Sequence, residues 1–456
     1  MAKPKNFLES LAEAPAKTLD KTLAESGRLA NMALHNKPVK KTGEFWHKLG
    51  PGLTTGAADD DPSGIATYSQ TGSGYGFNLL WLAGYSFPLM AVIQEMCARI
   101  GLVTGKGLAA NIKKHFPRWA LYSTTLLLLV ANIFNIGADL GAMTTAVQLV
   151  FPRLPFEPLI FLITFISLFL QIFTSYKDYA KYLKWLTLVL FSYVATGLII
   201  NIDWHTALKA AALPSLNFTK EQFFLITGIL GTTISPYLFF WQTSQEVEEE
   251  ILAGKTTLRA RKEIGRNDIA NMRLDVWVGM FISNLVMFFI IAVCGATLHK
   301  AGLTNISTAA EAAAALKPLA GNQAYLFFTM GILGTGLLGV PVLAGSASYA
   351  LSETLGWKQG LHRKLKQAYA FYGVIIIAML VGLFVNFTGL DPIKTLIYAA
   401  VLNGLVAPVI LIQIVKLSSN EKIMGKHKNG LVIKYIGWAA TWLMIVSGIA
   451  TIFSLL

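Results

Sequence analysis

Apolar stretches, each near the roughly 20 residues a helix needs to cross a bilayer, recur from about residue 46 to the C-terminus. Eleven such spans can be drawn, at 46–75, 78–103, 119–150, 156–174, 179–201, 222–250, 271–298, 323–351, 367–387, 393–416 and 431–455. A backbone surrounded by hydrocarbon must satisfy its own hydrogen bonds, so an all-α membrane protein is the fold class this pattern permits. Only 14% of residues are charged, against about a quarter in a soluble domain. The two cysteines, Cys97 and Cys294, sit far apart inside apolar segments and read as small buried residues.

Residues 1–44 are polar and lack the apolar core and cleavage site of a signal peptide. We expect a cytoplasmic tail there, partly helical between Phe7 and Leu34, followed by a transmembrane domain over 45–456. With the N-terminus inside, only Arg153, Lys209, Lys220, Lys300, Lys317 and Lys394 of the 38 Lys and Arg fall on the outer side. That asymmetry obeys the positive-inside rule and leaves the C-terminus outside, as in a multi-pass protein of the inner (plasma) membrane. It also accounts for the net charge of +13 through contact with the lipid bilayer, with no nucleic-acid partner.

Two spans are interrupted. The first breaks at Asp61-Pro62-Ser63-Gly64 and the sixth between Thr232 and Pro236. Proline lacks an amide hydrogen and disfavours helix at the residue before it. If 45–201 and 222–416 are five-span repeats, each opens with its broken helix, and an odd span count inverts one against the other. Broken helices at matching positions of inverted repeats point to a midplane site in secondary transporters. Helix 11, over 431–455, would be an accessory.

Asp59, Asp60 and Asp61 lie mid-span, where carboxylates are costly and usually face a cavity or a partner. Asp61, with Asp60 beside it, is the expected metal ligand, and Asp59 a pathway residue. Around the sixth break, the carbonyl of Thr232 and the hydroxyl of Ser235 add oxygen, and no Met, Cys or His is present. An oxygen-only donor set suits Mg²⁺, Ca²⁺ or Mn²⁺. In span 3, Asn132, Asn135 and Asp139 recur at helical spacing on one face. Asn135, Asp139 and Gln94 of span 2 are expected to line the pathway. Glu95 and Arg99 read as an intrahelical pair, Asn284 and Asn403 as interhelical hydrogen-bonding groups, and Glu246 to Glu250 as a solvated helix end. All seven histidines fall in tails, loops or span ends, which argues against a histidine proton relay.

With these residues in view, the chain from about 45 onward resembles the natural resistance-associated macrophage protein (Nramp) family of divalent metal transporters. The likeness rests on GPG before the DP of span 1, IQEMCARIGLVTGKGLA in span 2, GADLG in span 3 and the TTISP break. It implies a leucine-transporter-type fold holding a metal between spans 1 and 6. Transition-metal members read DPGN where this chain has Asp61-Pro62-Ser63-Gly64, so their asparagine ligand is Gly64 here. Their methionine before the proline corresponds to Ser235, and two histidines tied to proton handling correspond to Tyr237 and Gln242, which stay pathway candidates. The pattern is similar to the Nramp-related magnesium transporter branch. It implies import of partly hydrated Mg²⁺, with Mn²⁺ also accepted and no obligatory proton coupling. The alternative is a proton-coupled Mn²⁺/Fe²⁺ carrier. No bound cofactor is expected beyond the transported Mg²⁺ or Mn²⁺. An enzyme built on paired Asp-rich motifs would need a second cluster inside a span, and there is only one.

Overall fold

The computed structural model describes residues 50–173, 188–216, 219–261 and 263–455. The expected tail, the start of span 1 and the start of span 5 lie outside the described residues. Among those described, every regular element is helical. Span 1 comprises helix 1a (Pro51–Asp59) and helix 1b (Pro62–Tyr75), and span 6 comprises helix 6a (Lys220–Thr233) and helix 6b (Pro236–Leu252). Span 2 is Trp81–Thr104, span 3 Arg118–Val150, span 4 Phe156–Phe173 and span 8 Ala324–Leu355. Span 7 is Arg266–Cys294, continued by a π-helical turn at Gly295–His299. Span 9 is Tyr369–Val385, span 10 Pro392–Ser418 and span 11 Leu431–Leu455; the described part of span 5 ends with Phe191–Ile199. The fold is of the leucine-transporter type.

Both breaks are built alike. Asp61 is the N-cap of helix 1b with Pro62 next, and Ser235 is the N-cap of helix 6b with Pro236 next. Proline at the first helical position sacrifices an amide that has no intrahelical acceptor anyway. The interruption therefore costs little on its helix-starting side and leaves its unmet groups on the other.

The packing repeats the same economy. Helix 1a lies on span 7 and helix 6b on span 2, a pairing that exchanges when the first five spans are matched with the second five. Each contact is a backbone-to-backbone approach through glycine. A Cβ on Gly56 would stand 2.3 Å from the Gly279 carbonyl oxygen, and one on Gly101 would stand 2.4 Å from that of Thr243. Larger residues at Gly56 and Gly101 would push these helices apart.

Loops gather into two sets. At one end the loops after spans 2, 6, 8 and 10 join: Arg261 Nε donates to the Gly105 carbonyl at 3.2 Å, and Lys113 Nζ to that of Thr354 at 2.9 Å. At the other end Gln70 Nε2 donates to the Thr304 carbonyl at 3.1 Å, and Ser215 Oγ to that of Asn78 at 3.2 Å. The set rich in Lys and Arg is the one expected to be cytoplasmic. Phe165, Phe169, Phe384 and Phe453 are exposed along spans 4, 9 and 11, the outward apolar surface a bilayer covers.

Candidate metal site

Asp61 organises the centre. Its Oδ1 accepts the Ser63 hydroxyl at 2.6 Å and the Gly64 amide at 2.8 Å, which closes the cap of helix 1b. Its Oδ2 accepts the Asn135 side-chain amide at 3.1 Å and the Tyr237 hydroxyl at 3.3 Å. The same Tyr237 hydroxyl lies 3.0 Å from the Ala58 carbonyl oxygen at the end of helix 1a. One carboxylate thus ties spans 1, 3 and 6 together, using neutral donors alone.

The sixth break closes on the first through Gly64. A Cβ there would meet Thr232 Oγ1 at 2.9 Å, so the Thr232 side chain fills the volume a larger residue at 64 would take. Ser235 Oγ reaches the carbonyls of Gly231 (2.7 Å) and Thr232 (2.6 Å), giving freed backbone oxygens a donor. Thr232 Oγ1 itself is buried beside Tyr68, with no hydrogen bond of ordinary geometry among the described residues.

The other two aspartates of the triplet turn towards span 7. Ser283 Oγ lies 2.6 Å from Asp59 Oδ2 and 3.2 Å from Asp60 Oδ1. A hydroxyl has one proton, so the two carboxylates share a single donor. Asp139 lies beside the Ser63 amide, yet neither of its oxygens makes a hydrogen bond of ordinary geometry. Gly339 of span 8 faces both Asp61 and Asp139: a Cβ there would be 3.1 Å from Asp61 Cβ and 3.9 Å from Asp139 Oδ2. Asn132, by contrast, donates to the Leu343 carbonyl and the Ser346 hydroxyl, a packing role between spans 3 and 8.

Gln94 is buried, and neither its side-chain oxygen nor its nitrogen has a hydrogen-bond partner among the described residues. Gln242 Nε2 donates to Glu246 Oε1 at 2.9 Å, and its own oxygen is unpartnered. Among the described residues no three His, Cys, Asp or Glu converge as a metal cage. What converges is one carboxylate, hydroxyls and freed carbonyls. Four buried acids, Asp59, Asp60, Asp61 and Asp139, have no Lys, Arg or His paired with them among the described residues. Negative charge buried without a cationic partner is a cost of several kcal/mol that a cation or a proton must offset.

Three expectations differ from the geometry. Glu95 is more than half of an intrahelical pair: Arg273 Nη2 and Trp277 Nε1 of span 7 each donate to it at 2.9 Å, while Arg99 stands at 3.6 Å and also bonds Asn429. The acidic run after span 6 is solvated only at Glu249. Glu246, Glu248 and Glu250 are buried, and Glu248 accepts the Tyr349 hydroxyl, the Leu361 and His362 amides and His362 Nδ1. Sequence reasoning passed over Ser283, whose signal was a Ser-Asn pair inside an otherwise apolar span. Asn284 does bond between spans, accepting the Ser86 hydroxyl at 3.1 Å, while the buried Asn403 side chain has no hydrogen-bond partner among the described residues.

The architecture matches solved transporters. The Eremococcus coleocola manganese transporter, in complex with an aromatic bis-isothiourea compound, superposes with a TM-score of 0.68 at 17% identity over 89% of this chain and 86% of that one. A variant of the same transporter gives 0.66 at 18% identity over 89% and 85%. Mhp1, a nucleobase-cation-symport-1 family transporter in a closed conformation, gives 0.53 at 14% over 89% and 91%. At such identities these likenesses speak to the fold. The sequence profile described as natural resistance-associated macrophage protein-like matches residues 52–454, nearly the whole described chain, and the protein belongs to that Nramp family.

Proposed function

We propose that the protein imports divalent metal cations through the gap between helices 1a/1b and 6a/6b, with partly hydrated Mg²⁺ as the main cargo and Mn²⁺ also accepted. The observation that carries this reading is the set of four buried acids with no basic partner among the described residues, gathered around the break in span 1. A divalent cation supplies the missing charge. Family membership and the fold shared with a manganese transporter support the same cargo class.

Asp61 and the Thr232 carbonyl are the direct ligands in this reading, with Asp60, Gly64 and Ser235 at the same break. The donors there are oxygens, which do not favour transition metals over abundant Mg²⁺ as a thioether would. Mg²⁺ keeps several waters and asks for only one or two carboxylates. Tyr237 and Gln242 offer no titratable imidazole, so import proceeds on the membrane potential without obligatory proton coupling. The N-terminus lies in the cytoplasm of a cell bounded by the plasma membrane, and the repeats run over about 45–201 and 222–416. One observation favours the proton-coupled Mn²⁺/Fe²⁺ alternative: Asp139, buried beside Asp61 without a hydrogen bond of ordinary geometry, is placed to carry a proton.

Uptake into proteoliposomes of Mg²⁺ and Mn²⁺, with Asp61→Ala as control, tests the proposal. Mg²⁺ influx lost in Asp61→Ala, and Mn²⁺ influx inhibited by excess Mg²⁺, are the expected results. Mn²⁺ influx indifferent to excess Mg²⁺ would reject the magnesium reading in favour of the alternative.

A further inference from the structure

Two cavities open at the lysine-rich end, far along the chain from the helix breaks. One, of about 630 Å³, lies between the loops after spans 2, 6 and 10. The other, of about 530 Å³, runs beside the start of span 11. They share His115 and Ile423 as lining residues and so lie side by side, the two parts of one basic groove-like region.

The groove has two chemistries. Lys106, Lys114, Lys422 and Lys426 line its polar part, and Lys416 and Lys434 flank the rest. None of these six ammonium groups has a hydrogen-bond or ion-pair partner among the described residues. The opposing Glu421 is already engaged by Lys428 at 2.6 Å, leaving Glu263 as the other acidic lining group. The concentration of positive charge is felt locally. Burial, then Lys114 and Lys106, pushes the His115 imidazole below its ordinary pKa, and burial with Lys426 and Arg99 does the same to His427. The second part is mixed: Phe116, Val415, Leu417, Ile423 and the Trp438 ring of span 11 give it an apolar wall, and His115, Lys416, Ser419, Asn420 and Lys434 supply polar groups beside it.

We infer that this groove is a binding site for an anionic phospholipid, with the phosphodiester among the lysines and an acyl chain along Trp438. The positive-inside rule requires lysines at this end of the molecule, but not that they converge on adjoining cavities, one of which has an apolar wall beside the first turns of a span. A soluble phosphate would use the lysines and leave the apolar wall without an occupant. A basic pocket that runs on between membrane helices is the arrangement that holds acidic headgroups. Tryptophan also prefers the headgroup level, where one side of the ring is wet.

Quenching of Trp438 by brominated lipid reads the site directly. The full-length protein is reconstituted into phosphatidylcholine vesicles containing about one fifth phosphatidylglycerol, with bromines on the acyl chains of one lipid or the other. The difference between wild type and Trp438→Phe isolates this ring. We expect Trp438 to be quenched preferentially by the brominated phosphatidylglycerol. Lys422→Gln with Lys426→Gln should reduce that preference roughly tenfold or more, since a lysine near anionic lipid contributes about a fivefold factor. Lys209→Gln at the opposite end should leave it unchanged. Equal quenching by both lipids overturns the inference, as does a preference that survives the double substitution. Relief of quenching by millimolar soluble glycerophosphate overturns it as well, because the occupant would then be a free phosphate ester.

Discussion

Asp275 of span 7 accepts the backbone amides of Gly52 at 2.6 Å and Leu53 at 3.0 Å, so a carboxylate from one repeat caps the first helix of the other. The first amides of a helix have no intrahelical acceptors, and a carboxylate placed over them also meets the positive end of the helix dipole. Helix 1a is only nine residues long. The cap, with the Gly56–Gly279 approach beneath it, holds this half of the broken span against span 7.

Removing the cap is predicted to loosen helix 1a. Asp275→Ala should cost about 1–2 kcal/mol, the usual value of a lost N-cap. Asp275→Asn, which keeps an acceptor oxygen, should cost less. Thermal unfolding of the detergent-purified proteins checks the order. Equal midpoints for both variants would mean that the negative charge, rather than the acceptor, does the holding.

Gly64 makes the next prediction. Asparagine at 64 would restore the side chain of the transition-metal members, but its Cβ would press on Thr232 Oγ1 at 2.9 Å. Overpacking strain of about 1–3 kcal/mol implies that Gly64→Asn alone cuts metal uptake roughly tenfold or more. Adding Thr232→Ala removes the obstructing hydroxyl while keeping the carbonyl, and uptake should recover, with Mn²⁺ gaining on Mg²⁺. Uptake competition between the two ions measures this. Full activity of the single substitution would show that Thr232 gives way freely.

The spans were legible because apolar runs of about 20 residues in hydrocarbon must be helices. The breaks were legible because Pro62 and Pro236 come with mid-span Asp, Ser, Thr and Gly, whereas Pro88, Pro341 and Pro408 sit inside helices that continue through them. Asp61 was picked out as a ligand from its place at the break, but the bonds by which it ties spans 1, 3 and 6 were not read from the sequence. What stayed hidden were partners supplied from far along the chain. Ser283 meets Asp59 from 224 residues away, and Glu248 meets His362 from 114 residues away. Periodicity tells which face of a helix a residue takes, not which helix that face meets. The acidic run after span 6 looked solvated because charged residues at a helix end usually are. The loop at Leu361 and His362 folds back over it and supplies the donors.

That clamp yields a prediction of its own. Glu248→Ala would orphan the Tyr349 hydroxyl proton, the His362 amide and the His362 ring nitrogen, while the Leu361 amide keeps the Tyr349 oxygen at 3.1 Å. Unmet buried donors cost about 1–3 kcal/mol each, less what water reaches, so a loss of about 3 kcal/mol is expected. Proteolysis within the loop between spans 8 and 9 should quicken correspondingly, and Glu248→Gln should fall between. Unchanged cleavage in Glu248→Ala would mean the loop is held elsewhere.

Coupling is the sharpest question left by the site, because Asp139 and the pair Tyr237 and Gln242 pull the expectation in opposite directions. An inside-negative potential of 100 mV is worth about 4.6 kcal/mol to a divalent ion, enough for a roughly two-thousandfold accumulation at equilibrium without protons. Mg²⁺ uptake should therefore follow a potassium diffusion potential set by valinomycin, and a pH gradient of either sign should add nothing. Asp139→Asn sharpens the test. As a pathway residue it should lower the rate of Mg²⁺ influx while leaving internal pH as flat as in the wild type. If Asp139 carries a proton, wild-type uptake will acidify the lumen in proportion to Mg²⁺ gained, and the substitution will abolish that acidification. The second outcome would turn the two buried acids at Gly339 into a metal ligand and a proton carrier side by side.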